Sequence, residues 1–206
     1  MAGHGKLNIE MLIEKCEIYE KNEGRASFYD LSMEIVLDHP LQASIIMLAT
    51  WNSQRFRFMT SDPRNLLNLT SAIPKVQSLF KEIDGTISDA DFDEMSETIK
   101  KIYSILSSVK GVEYTGSSKV MHILKPELLV MWDTYIRDAY EFSNSAEDFL
   151  KFQKKMQTKI SELIWNNPNK TLAKAIDEYN YVNISLPKIQ EERARRKEKR
   201  ARRKKR

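Results

Sequence analysis

Apolar side chains recur at three- and four-residue steps along most of this chain. Ile9, Leu12, Ile13 and Cys16 form one stripe, Phe92, Met95, Ile99, Ile102 and Leu106 a second, and Phe149, Phe152, Met156, Ile160 and Leu163 a third. Each spacing predicts an amphipathic helix with one face toward a core. Start signals accompany them: Ser88 with Asp91 and Ser145 with Asp148 stand where an N-cap and its partner belong, and Thr171 precedes a further periodic stretch, 172–182. Segment 41–50 is more apolar and follows His39-Pro40, which predicts a helix buried nearly all round with Pro40 at its first position. Breaks at Asp62-Pro63, Ala72-Ile73-Pro74, Asp84-Gly85, Lys110-Gly111, Lys125-Pro126, Asn167-Pro168 and Leu186-Pro187 divide the chain into about eight or nine helices. No alternating strand pattern, internal repeat or Gly-rich linker interrupts them, so 1–187 reads as one all-α domain.

Charge changes the picture at the C-terminus. Of the 33 Lys and Arg residues in the 206-residue chain, 12 lie in 188–206 beside only 3 Glu, so this tail carries +9 and the body about −5. Such a run repels itself and has little to bury, which makes it disordered or marginally helical when free, and a binder of polyanions by counterion release. Arg195, Arg196 and Arg200 are its expected phosphate contacts. The acidic stretch 84–97 cannot face a phosphate backbone. A single cysteine, Cys16, excludes an internal disulfide and a cysteine-cluster metal site, and points to a reducing intracellular setting: cytoplasm or nucleoid, or a nucleus. No apolar run is long enough to span a membrane. His4, His39 and His122 have no ligand spacing with one another, so no metal is predicted, and His122, between Met121 and Ile123, reads as a core histidine.

Segment 109–140 does not read as generic helix. A helix ends near Lys110, a Gly-containing turn follows, and a short helix over 117–124 begins with small residues. An apolar connection then leads to Trp132-Asp133, where another helix starts. This stretch resembles the helix-hairpin-helix DNA glycosylases, in particular their 8-oxoguanine glycosylase branch. Upstream, Ala49-Thr-Trp-Asn-Ser-Gln-Arg55 is similar to the polar cluster that follows the corresponding buried helix of that family. The resemblance implies an all-α glycosylase-like fold without cofactor, with double-stranded DNA as the expected partner; the oligomeric state is left open, a monomer being favoured. Chemically it implies an N-glycosylase, with or without abasic-site lyase activity, that takes a flipped damaged base such as an oxidised purine.

Carried over residue by residue, Gly111 and Val112 resemble the first half of the hairpin, whose helix N-terminus offers N–H groups to a phosphate. Glu113 stands where the family has a second glycine, unless a longer hairpin uses Gly116, and Ser117 and Ser118 complete the expected backbone contacts. Lys119 resembles the nucleophile, although aligning the short helix on its apolar positions puts Ser118 in that place. Asp133 resembles the site carboxylate. A nucleophilic lysine must be neutral, which needs burial or a nearby cation; an aspartate opening a helix is also an N-cap, and the cap aims its carboxylate. Asn52, Gln54, Arg55 and Trp132, with Trp51, are the candidates for holding the base. Arg137 reads as a partner for Asp133 or a phosphate. Two other functions are compatible with these residues: a nucleic-acid-binding protein that lacks the chemistry, and a helical protein–protein adaptor.

Overall fold

In a computed structural model describing residues 5–204, the chain is all helical: α1 (Ile9–Asn22), α2 (Ala26–Ile35), α3 (Pro40–Trp51), α4 (Ser53–Ser61), α5 (Pro63–Phe80), α6 (Ser96–Ser107), α7 (Glu113–Leu124), α8 (Thr134–Ala139), α9 (Ala146–Lys159), α10 (Leu172–Asn180) and α11 (Leu186–Lys204). A π-helical turn, Tyr181–Ser185, joins the last two. His4 lies outside the described residues. No strand occurs among the described residues, and no helix among them is long and apolar enough to cross a membrane.

Several boundaries are where the side chains dictate. Asp62, Ser145 and Thr171 each accept a hydrogen bond from a backbone N–H of the helix they open, and Pro40 and Pro63 occupy first-turn positions that need no donor. Three expectations are corrected. Helix α5 runs through Pro74, because burial of Leu69, Ala72, Ile73, Val76 and Phe80 outweighs the one backbone bond that proline removes. Ser88 and Asp91 open no helix: Ser88 lies in a turn where its N–H donates to the Thr86 hydroxyl, Asp91 accepts from the N–H groups of Asp93 and Glu94, and α6 begins only at Ser96. Helix α7 begins four residues before 117, so Gly116 is interior to it.

Helix α7 is the centre of the molecule. Residues 116–123 are all buried, with α3 on one side and α6 on the other. Gly116 permits the α3 contact: a Cβ there would stand 2.7 Å from both Leu48 Cδ2 and Asn52 Nδ2. The rings of Tyr103, Trp132, Phe149 and Phe152 pack with centroids 4.8–6.1 Å apart, Tyr103 stacked on Phe149 and the other pairs edge-on or tilted, and fix α6, α9 and the 128–132 segment to one another.

Candidate active site

Two irregular connections build the site. The first is the α6–α7 turn. Gly111 has φ 97° and Glu113 φ 53°, so a glutamate here takes the left-handed conformation that a glycine takes freely. Asn52 holds this turn from α3: its amide donates to the carbonyls of Gly111 (3.2 Å) and Val112 (2.9 Å). Arg55 pairs with Glu113 at 3.0 Å.

The second connection, 128–133, is apolar and extended, and would leave buried backbone groups unpaired if side chains did not reach it. Gln153 accepts from Val130 N–H (2.8 Å) and donates to Val130 O (3.0 Å). Ser118 accepts from Trp132 N–H (3.3 Å), with the carbonyls of Trp132 and Thr115 each 2.9 Å from its hydroxyl. His122 Nδ1 lies 2.6 Å from Leu129 O, which can only accept, so the proton sits on Nδ1 and Nε2 accepts from the Tyr29 hydroxyl at 2.9 Å. Burial pushes the imidazole down to about 4 and keeps it neutral. The connection ends at Asp133, which caps α8: Oδ1 accepts from Ile136 N–H (2.8 Å) and Oδ2 from the Ser185 hydroxyl (2.7 Å).

Lys119 and Asp133 line one cavity of about 180 Å³, walled by Tyr29, Met47, Trp51, Met131, Trp132 and Tyr181 and by the charged residues Arg25, Lys174 and Asp177. Lys119 is 8% exposed and makes no hydrogen bond or ion pair among the described residues. Burial drives its amine below the usual lysine range, opposed by Asp177 and then Asp133, with Lys174 and Arg25 adding to the fall. Lys174 is different in kind. Its burial is opposed by Asp177 (3.0 Å) and Glu178 (3.5 Å), and its ammonium sits 4.6 and 4.7 Å from the ring centroids of Tyr19 and Tyr29, so it is held protonated well above the ordinary range. One buried lysine is thus a permanent cation and its neighbour an unpaired amine. Arg25, anchored by Glu23 at 2.6 Å and by Thr50 O, covers Trp51 at 5.5 Å. A larger cleft of about 570 Å³ lies on the other side of Tyr19, Tyr29 and Lys174.

The structure separates the remaining candidates. Of Ser118 and Lys119, only the lysine faces the cavity; the Ser118 hydroxyl is spent on backbone. Trp132 and Trp51 are cavity walls, and Trp132 is 1% exposed with no acceptor for its Nε1. Asn52 and Arg55 serve the hairpin turn instead of the cavity, and Gln54 is exposed on α4. Gly111, Gly116, Ser117 and Ser118 are buried, and the exposed side chains beside them are Lys110 and Tyr114. Arg137 pairs with Asp138 (2.8 Å) and with Asn144, leaving Asp133 to Ser185. On α11, Arg195 and Arg196 pair with Glu191 (2.7 Å) and Glu192 (3.4 Å), and Arg200 is exposed. No group of three His, Cys, Asp or Glu residues among the described residues is arranged to hold a metal ion.

Sequence reading missed Arg25, Tyr29, Lys174, Asp177 and Ser185. A signal for two of them existed: Lys174 interrupts and Asp177 directly follows Leu172-Ala173-x-Ala175-Ile176, a run of small and apolar residues suited to a helix packed all round, where a charge requires a buried partner. Comparison with family models, curated proteins and solved structures gives no match to this chain.

Proposed function

We propose that this protein is a DNA N-glycosylase whose nucleophile is Lys119, acting on a damaged base turned out of the duplex into the cavity between α3, α7 and α10. The observation that carries the reading is the pairing of an unpaired buried amine with a fixed carboxylate in one aromatic-walled void. A neutral amine is a nucleophile at physiological pH, and burial beside the protonated Lys174 favours that form. Its nitrogen attacks C1′ of the deoxyribose, the C1′–N bond to the base breaks, and the base leaves with a proton. The nitrogen lone pair then breaks the C1′–O4′ bond, O4′ takes up a proton as the sugar ring opens, and the resulting iminium is hydrolysed by water or permits strand elimination. Asp133, held at the N-terminus of α8 by two hydrogen bonds, places negative charge beside the sugar as positive charge develops there. Trp51, half-buried in the cavity wall, supplies a stacking face. Phosphates are met by the basic arm of α11 rather than by the hairpin, whose Glu113 would repel them.

The test is release of free base from duplexes carrying 8-oxoguanine, hypoxanthine or uracil. Release from one of them, lost in Lys119→Gln with the fold intact, supports the reading. Absence of release from every duplex, with duplex binding retained, would make the protein a nucleic-acid binder without this chemistry.

A further inference from the structure

Among the cavity-lining residues, one comes from α11: Ile189. The root of this helix is lightly held. Leu186 and Ile189 are half-buried, Tyr135 donates to Glu192 at 2.6 Å, and every side chain from Glu191 to Arg203 is exposed. The opposite walls belong to the core; Met47 and Trp132 are each 1% exposed. Local opening follows the path that gives up the least buried apolar surface, which here is the lifting of α11. The helix also stands on the π-turn Tyr181–Ser185, an irregular five-residue element of the kind that interrupts helices at functional sites.

The latch and the basic arm share a residue. Glu192 accepts from Tyr135 through Oε1 and pairs with Arg196 through Oε2 at 3.4 Å. A phosphate chain lying along the arm recruits Arg196 and brings negative charge against Glu192. Both changes weaken the hold of Glu192 beside the cavity.

We propose that the root of α11 is a gate on the cavity, shut by Ile189 and the Tyr135–Glu192 hydrogen bond, and that a nucleic-acid phosphate backbone bound along the basic arm opens it. The proposal rests on the reading of the cavity as the substrate site, and it ties entry to that site to prior engagement of the duplex. An unoccupied enzyme then keeps its amine away from small electrophiles in solution.

Accessibility of the Lys119 amine measures the gate without requiring base excision. Full-length protein is treated with formaldehyde and cyanoborohydride, methylation of Lys119 is timed by mass spectrometry against the exposed Lys75, and inorganic polyphosphate stands in for the backbone. Tyr135 is half-buried and its hydroxyl reaches Glu192 outside the core, so Tyr135→Phe removes that one oxygen and keeps the ring in place. In Tyr135→Phe the Lys119 rate rises about tenfold, the factor for loss of one hydrogen bond to a charged group. Polyphosphate raises the parent rate by a similar factor and adds little to the variant, and Glu192→Gln shifts the rate in the same direction. A Lys119 rate unchanged by both substitutions, or slowed by polyphosphate in the parent, overturns the gate. Base release that fails while these responses hold overturns the glycosylase reading and leaves the gate standing.

Discussion

Replacing Gly116 by alanine adds one methyl group at the closest approach of α3 and α7. The new Cβ would lie 2.7 Å from Leu48 Cδ2, 2.7 Å from Asn52 Nδ2 and 3.1 Å from Val112 Cγ1. Leu48 is fully buried and cannot swing away, and the Asn52 amide can yield only by leaving the carbonyls of Gly111 and Val112. Overpacking of this kind costs about 1–3 kcal/mol, and the strained amide hydrogen bonds are worth about 1 kcal/mol each. Helix propensity returns about 1 kcal/mol when alanine replaces glycine. The balance is a loss of about 2 kcal/mol, or about 4–8 °C in Tm for a chain of this size. Urea unfolding should show a lower midpoint with an unchanged slope. A double-mutant cycle locates the cause: in an Asn52→Ala background the amide is gone, and Gly116→Ala should cost about 1 kcal/mol less. Gly24→Ala, where a Cβ meets nothing within 4 Å, is the control. A Gly116→Ala protein as stable as its parent, or the same loss in both backgrounds, would refute this account of the α3–α7 contact.

Two further predictions concern the elements around the cavity. His122 is neutral in the fold at about 4 and titrates near 6.5 when unfolded, so its contribution is fully present above pH 6.5 and lost as pH falls toward 4. The loss is about 3 kcal/mol over that window; an equal pH dependence of stability in His122→Asn, followed by denaturant titration, would exclude the histidine as its source. Glu113 holds a left-handed backbone conformation, so Glu113→Gly should be at least as stable as the parent despite losing Arg55, while Glu113→Val should lose about 2 kcal/mol. The reverse order in thermal melts would mean that the ion pair, not the backbone, decides that position.

The fold was largely legible because its signals are local. Apolar spacing and the caps Ser145, Thr171 and Asp133 depend on residues within one turn of each other, and these are the features that survive folding unchanged. Pro74 was misleading since its effect is set by what the rest of α5 buries, and Asp91 because an Asx turn uses the same residue type as an N-cap. At the site, Lys119 and Asp133 could be paired from the sequence only through a family resemblance, 14 positions apart on two different elements. Lys174, Asp177 and Ser185 come from a third region more than 40 residues further on, and nothing local marks them as facing α7. Asn52 and Ser118 were legible as polar residues near the site, yet their roles follow from backbone groups that only the tertiary structure leaves in need of a partner.

The central claim is that the unpaired amine of Lys119 attacks the sugar of a damaged nucleotide. Borohydride reduction in the presence of duplexes carrying 8-oxoguanine, uracil, hypoxanthine or an abasic site tests it most directly, since the iminium would be fixed as a covalent protein–DNA adduct. The account predicts an adduct with at least one of these duplexes whose crosslinked peptide contains Lys119, and its loss in Lys119→Gln. An adduct that persists in Lys119→Gln, or none with any of the four duplexes, would contradict it.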